Sequence, residues 1–207
     1  MAEQSPQPPP QQSSPFPEQA PVQDRDLLQR LSLYFDAVDT RLRQGQGWFI
    51  FNAQAGRSHR IADFIKYRLG EHTPPVSHYV MPWRDFALSA YVHEVGLPEL
   101  APAAHAAPDD AKAKREFDLA TRVTDATYST MLSTELLVLV GLKPTARHEA
   151  LFLDRTIDGR YHQRLPTILL TPDMPRQLEA EFASVDPSRA CWDRLFGRMY
   201  ETSLVAL

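Results

Sequence analysis

The chain has 207 residues, 43% of them hydrophobic, with 22 Lys and Arg against 26 Asp and Glu and a formal net charge of -4. That length supports one globular domain with its own core, and that charge excludes a global basic field while leaving room for a local one. The single cysteine, Cys191, excludes an intrachain disulfide or an all-cysteine metal site, and no apolar run approaches the ~18–20 residues that span a bilayer.

Residues 1–22 hold seven of the 18 prolines among Gln and Ser. A segment so poor in apolar side chains cannot offset its ordering entropy, so a disordered Pro/Gln-rich tail is expected there, either a solvated leader or a partner-binding tether. It has no apolar signal core, which with the composition points to a cytoplasmic protein. Asp24 to Arg43 has helical spacing (Leu27, Leu28, Leu31, Leu33, Tyr34, Phe35, Val38, Leu42), with Asp24 as its N-cap. After Gly45 and Gly47 a short apolar strand is expected over 47–51, then a loop, then a helix from Ser58 to about Leu69. A second strand is expected over 76–81 and a helix over 82–95, whose Trp83, Phe86 and Tyr91 read as core. An Ala/Pro-rich loop over 98–110 precedes a helix from about Lys112 to Ser133, whose Lys112, Lys114, Arg115 and Arg122 read as a solvated basic face. Further strands are expected over 136–140, 166–171 and 202–207, with helices over 145–164, 175–183 and from Pro187 to about Tyr200. Strands alternating with helices make an α/β domain with a parallel five-stranded sheet between helices.

The chemistry is densest after the first strand. A phosphate-binding loop reads G-x-x-x-x-G-K-[ST], its backbone N–H groups cradling phosphate, its Lys reaching the β/γ oxygens and its Ser/Thr holding Mg²⁺. Here Phe51 stands at the first glycine position and Arg57 at the lysine position, while Gly56 and Ser58 fit. Such sites also need an Asp, often followed by Glu, at the end of another strand to organise Mg²⁺ and water. The matching positions hold Val140 and Gly141, and no acid follows until Glu149.

The run from Ile157 through Arg160, Tyr161, Arg164, Pro166 and Thr167 to Pro175 resembles the "I-x-x-R-Y-x-x-R-x-P-T-I" block of the DnaC/IstB family of AAA+ helicase loaders and transposition helpers. Asp193-Arg194-Leu195 resembles that family's arginine-finger segment, and Ala55 to His59 resembles the phosphate loop of DnaA-related Hda proteins. The resemblance covers residue 25 to the end. It implies an AAA+ P-loop core over 23–207 with a degenerate ATP site, since the lysine, the acidic pair and the sensor residue (Pro172 or Asp173 here) are changed together. The family's small helical lid is not expected after the last strand.

By that resemblance Gly56, Arg57, Ser58 and His59 are the residual nucleotide-binding positions, with ATP or ADP and Mg²⁺ as the implied cofactor. Arg194 is the finger candidate. Arg84, Lys143 and Arg147, with His148 beside them, are candidates for phosphate contacts to single- or double-stranded DNA. His59 and His162 lack neighbours at metal-ligand spacing, and Ser58 and Cys191 lack a base that would make a nucleophile. Three functions stay open: a non-catalytic accessory protein for a replicative helicase, transposase or AAA+ subunit in DNA replication or transposition; a weak ATPase using Arg57; and a pure interaction adaptor.

Overall fold

A computed structural model describes residues 21–96 and 111–207. The expected tail, in its residues 1–20, and the expected 98–110 loop lie outside the described residues, as do the side chains of Lys112 and Lys114. The chain opens with α1 (Val22–Asp36) and α2 (Val38–Arg43), then β1 (Gly47–Ile50) and α3 (Ala55–Glu71). β2 (His78–Pro82) leads to α4 (Trp83–Glu94), and α5 (Ala111–Ser133) to β3 (Leu136–Val140). Then come α6 (Arg147–His162), β4 (Thr167–Leu170), α7 (Pro175–Val185), α8 (Ala190–Thr202) and β5 (Ser203–Ala206).

The five strands form one parallel sheet in the order β2-β3-β4-β1-β5. β1, β3 and β4 are continuous apolar runs because helices cover both of their faces. On one face Trp48 and Ile50 of β1, with Val138 and Ile168, pack against Leu27, Leu28 and Leu31 of α1 and Ile61 and Ile65 of α3. On the other face Phe49, Leu139 and Leu169 pack against Phe86, Phe152, Phe182, Trp192 and Leu195 of α4, α6, α7 and α8. Gly47 is required where β1 starts, since a Cβ there would lie 2.0 Å from the Thr167 carbonyl oxygen on β4. The expected α/β architecture is therefore found, as a three-layer sandwich.

Several boundaries differ from expectation, each for a local reason. The expected helix over 24–43 is two helices, broken at Ala37 (φ -114, ψ 27), where no Gly or Pro marks the break. Asp24 does not cap it; Pro21 holds the cap position and Asp24 sits in the first turn. Leu33 points to solvent. The helix after β1 begins at Ala55, so Gly56, Arg57 and Ser58 form its first turn rather than a loop. The helix expected from Pro187 begins at Ala190, after Arg189 in the left-handed region (φ 61). Asp186 holds that turn, accepting the Ser188 hydroxyl at 2.6 Å and the Cys191 N–H at 3.0 Å. On α4, Trp83 and Phe86 are core as expected, but Tyr91 is not: it is 37% exposed and meets the edge of His148.

Candidate functional site

The C-terminal ends of β1, β3 and β4 converge where an open α/β sheet generally binds its ligand, and their short connections bring the expected site residues together. Four residues separate β1 from α3. Asn52 takes a left-handed conformation (φ 53), and its N–H donates to the Asp173 carbonyl at 3.1 Å. The Ala53 N–H donates to the Thr171 carbonyl at 2.8 Å. The N–H groups of Asn52 and Ala53 are thus spent on the chain that follows β4. Gly56 is not crowded: a Cβ there would meet only the Arg60 guanidinium, at 3.5 Å. Ser58 is buried with its N–H in the helical ladder, and His59 is exposed.

Arg57 turns inward. Its Nε donates to Asp24 Oδ1 at 2.9 Å and its Nη1 to the Asn52 carbonyl at 3.0 Å. Arg60, one helical turn on, donates through Nε and Nη2 to Asp24 Oδ2 at 3.1 and 2.5 Å. Asp24 is 3% exposed and holds both guanidiniums, so α1, α3 and the loop are pinned at one carboxylate. Sequence reasoning missed this role because 33 residues separate Asp24 from Arg57. The available signal was the i,i+3 spacing of Arg57 and Arg60, which puts two cations on one helix face.

At the end of β3 the chain supplies no carboxylate. Gly141 (φ 83) and Leu142 donate their N–H groups to the Leu170 carbonyl at 2.9 and 2.7 Å. Glu149 is buried and folded back on its own helix start, accepting the Thr145 N–H at 2.8 Å and the Thr145 hydroxyl at 3.0 Å. At the end of β4, the Thr171 hydroxyl accepts the Asp173 N–H at 3.2 Å. Glu181 of α7 pairs with Lys143 at 3.1 Å; burial, with the Asp173 carboxylate nearby, pushes the Glu181 carboxyl up against that pairing. Among the described residues no group of three or more His, Cys, Asp or Glu side chains is placed to hold a metal ion. A Mg²⁺–triphosphate needs a mobile cation at the lysine position and a strand-end acid, and the residues present, with Arg57 held by Asp24 and Asn52 and no acid at the end of β3, do not fit it in this arrangement.

The other expected residues lie apart from the loop. Arg194 of α8 grips Asp154 of α6 through Nε at 3.0 Å and Nη2 at 2.6 Å, and the same carboxylate takes Arg198 at 3.0 Å. That pairing holds the Arg194 guanidinium above its ordinary range. Arg160 is 1% exposed and donates to the carbonyls of Met131, Thr134 and Pro166 and to the Thr167 hydroxyl at 2.6 to 3.0 Å. Burial without a carboxylate pulls it down to about 10. Arg84 and Arg147, in the first turns of α4 and α6, are exposed, whereas Lys143 is engaged by Glu181.

No protein-family model and no curated protein sequence matches the chain. Solved structures do. The DnaC helicase loader superposes with a TM-score of 0.58 at 14% identity, over 90% of this chain and 90% of that one. A DNA replication initiation factor gives 0.57 at 12% identity, and AMPPCP-bound DnaA from Aquifex aeolicus gives 0.56 at 11%. Each of these two is matched over 90% of this chain, which spans about half of their length (47%). At such identities the likeness is one of fold. The fold is that of the DnaC and DnaA-like AAA+ P-loop proteins, as the sequence resemblance implied.

Proposed function

We propose that this chain is an AAA+-fold accessory protein of DNA replication that works through protein and DNA contacts without hydrolysing ATP. The observation that carries the reading is the Asp24–Arg57–Arg60 cluster. The residue at the position of the phosphate-reaching lysine is bonded to its own chain at 2.9 and 3.0 Å. The absence of an acid at Val140 and Gly141 supports it, because nothing there polarises water or holds Mg²⁺. The likeness to a helicase loader supports replication as the setting. A replicative helicase or AAA+ subunit is then the natural partner, and a transposase fits the same chemistry in a mobile element.

For DNA, Arg84 and Arg147 are the exposed cations at the ends of adjacent strands β2 and β3, each in the positive first turn of a helix. Lys143 joins them only when Glu181 releases it. Arg194 reaches a neighbouring subunit's phosphate only by leaving Asp154. Pull-down from the native host tests the whole reading: recovery of a replication helicase or initiator supports it, and recovery of a transposase moves it to transposition. Recovery of neither, with no DNA retained, leaves the adaptor reading.

A weak ATPase is the second reading, favoured by one observation. Asp173 and Glu181 place two carboxyls at the end of β4, and each has a buried oxygen without a hydrogen-bond partner. Steady-state phosphate release that Asp173→Asn abolishes supports this alternative; the first reading expects none above background.

A further inference from the structure

We propose that Asp24 is a built-in anion that closes the start of α3 against phosphate, and that the same two arginines take a metal-free polyphosphate once α1 is displaced. The inference rests on the nucleotide-independent reading above and concerns how that site is kept shut.

Arg57 and Arg60 lie on one face of the first two turns of α3, where the helix end adds positive potential. Two guanidinium forks at such a place form an anion-binding set, since each can bind phosphate oxygens in pairs. Here the anion is supplied from within: both Asp24 oxygens are taken, Oδ1 by Arg57 and Oδ2 by Arg60. One carboxylate against two guanidiniums and a helix end leaves the cluster short of negative charge. The Arg60 side chain remains 41% exposed, so the surplus faces solvent. A polyphosphate carries more charge and more acceptor oxygens than a carboxylate, and would satisfy both forks.

Asp24 belongs to α1, which precedes β1 and reaches α3 through Leu27, Leu28 and Leu31. The plug is therefore as firmly seated as that helix. At the far end of α1, Asp36 is bonded by Arg68 of α3 at 2.6 Å. Whatever pulls α1 away withdraws the carboxylate with it. Because β3 ends without an acid, the opened site should bind polyphosphate without Mg²⁺, unlike a working nucleotide loop.

The test titrates sodium tripolyphosphate, in EDTA at low salt, into the full chain by calorimetry. Wild type should give no saturable heat at millimolar ligand. Asp24→Asn should bind at least about tenfold more tightly than wild type, and adding Arg57→Gln should abolish the gain. Should Asp24→Asn lose native circular dichroism, Leu28→Ala carries the test, because it loosens α1 without changing charge. That variant's melting temperature should rise with tripolyphosphate while the wild-type value stays put. Folded variants that gain no affinity, or a gain that requires Mg²⁺, would overturn the proposal. Silence in wild type and variants alike sinks only this inference; tight Mg²⁺-dependent ATP binding by wild type sinks the nucleotide-independent reading instead.

Discussion

Arg194 and Asp154 meet across α8 and α6 in a two-pronged ion pair, Nη2 to Oδ2 at 2.6 Å and Nε to Oδ2 at 3.0 Å. The arginine expected to act on a neighbouring subunit is the more exposed partner, at 47% of its side chain, whereas Asp154 is 12% exposed and also holds Arg198. Removing either side should therefore cost unequal amounts. Asp154→Ala, which strands Arg194 and leaves Arg198 only its pair with Asp158, should destabilise the chain by about 2 kcal/mol. Arg194→Ala should cost under about 1 kcal/mol, as exposed pairs do. Urea unfolding of both variants measures the difference, and equal losses would mean that Arg194 carries the pair's stability.

Arg160 sets a larger stake. Its guanidinium closes three carbonyls at the C-terminal end of α5 and the start of β4, together with the Thr167 hydroxyl. A lysine has no fork to reach them at once. Arg160→Lys should lose about 2–4 kcal/mol, since several buried acceptors are left unpaired. Chemical denaturation with the slope held constant reads it out. A loss below about 1 kcal/mol would show that water replaces the fork.

How much of this was legible in the sequence follows from what each feature depends on. The three central strands were readable because a buried, uninterrupted apolar run of three to five residues has few other fates in a chain of this pattern. The missing acid at Val140 and Gly141 was readable for the same reason: once the strand is fixed, its end is fixed. The break at Ala37 was not, since no Gly, Pro or cap marks it. The pairing of Asp24 with Arg57 and Arg60 was not either, because only the packing of α1 on α3 brings the charges together. Tyr91 misled by periodicity alone: its position lies at the rim of the α4 stripe, and His148, not the core, is its neighbour.

Acid unfolding should report Asp186. The Ser188 hydroxyl, then the Cys191 N–H, hold its carboxyl down to about 2 from an ordinary 3.8. A depressed carboxylate stabilises the fold above its unfolded value, and that contribution is lost as pH falls through the folded one. Wild type should lose stability between about pH 4 and pH 2, and Asp186→Asn should show a shallower fall over the same window. Parallel slopes in the two proteins would remove Asp186 from the acid response.

Binding to single-stranded DNA should be weak and salt-sensitive. Replacing both Arg84 and Arg147 by Ala should lower affinity and flatten the plot of log K against log salt by about 1.4, at roughly 0.7 per lost single-strand phosphate contact. Replacing Lys143 alone should change little while Glu181 holds it at 3.1 Å. Affinity that ignores salt would place the interface elsewhere.

The most direct measurement is a titration of the wild-type chain with a fluorescent ATP analogue in Mg²⁺. With Arg57 bonded to Asp24 and Asn52, and no acid at the end of β3, no saturable binding is expected up to millimolar nucleotide. Micromolar binding that Arg57→Ala abolishes, and that Arg57→Lys strengthens, would contradict it and restore a nucleotide site at the start of α3.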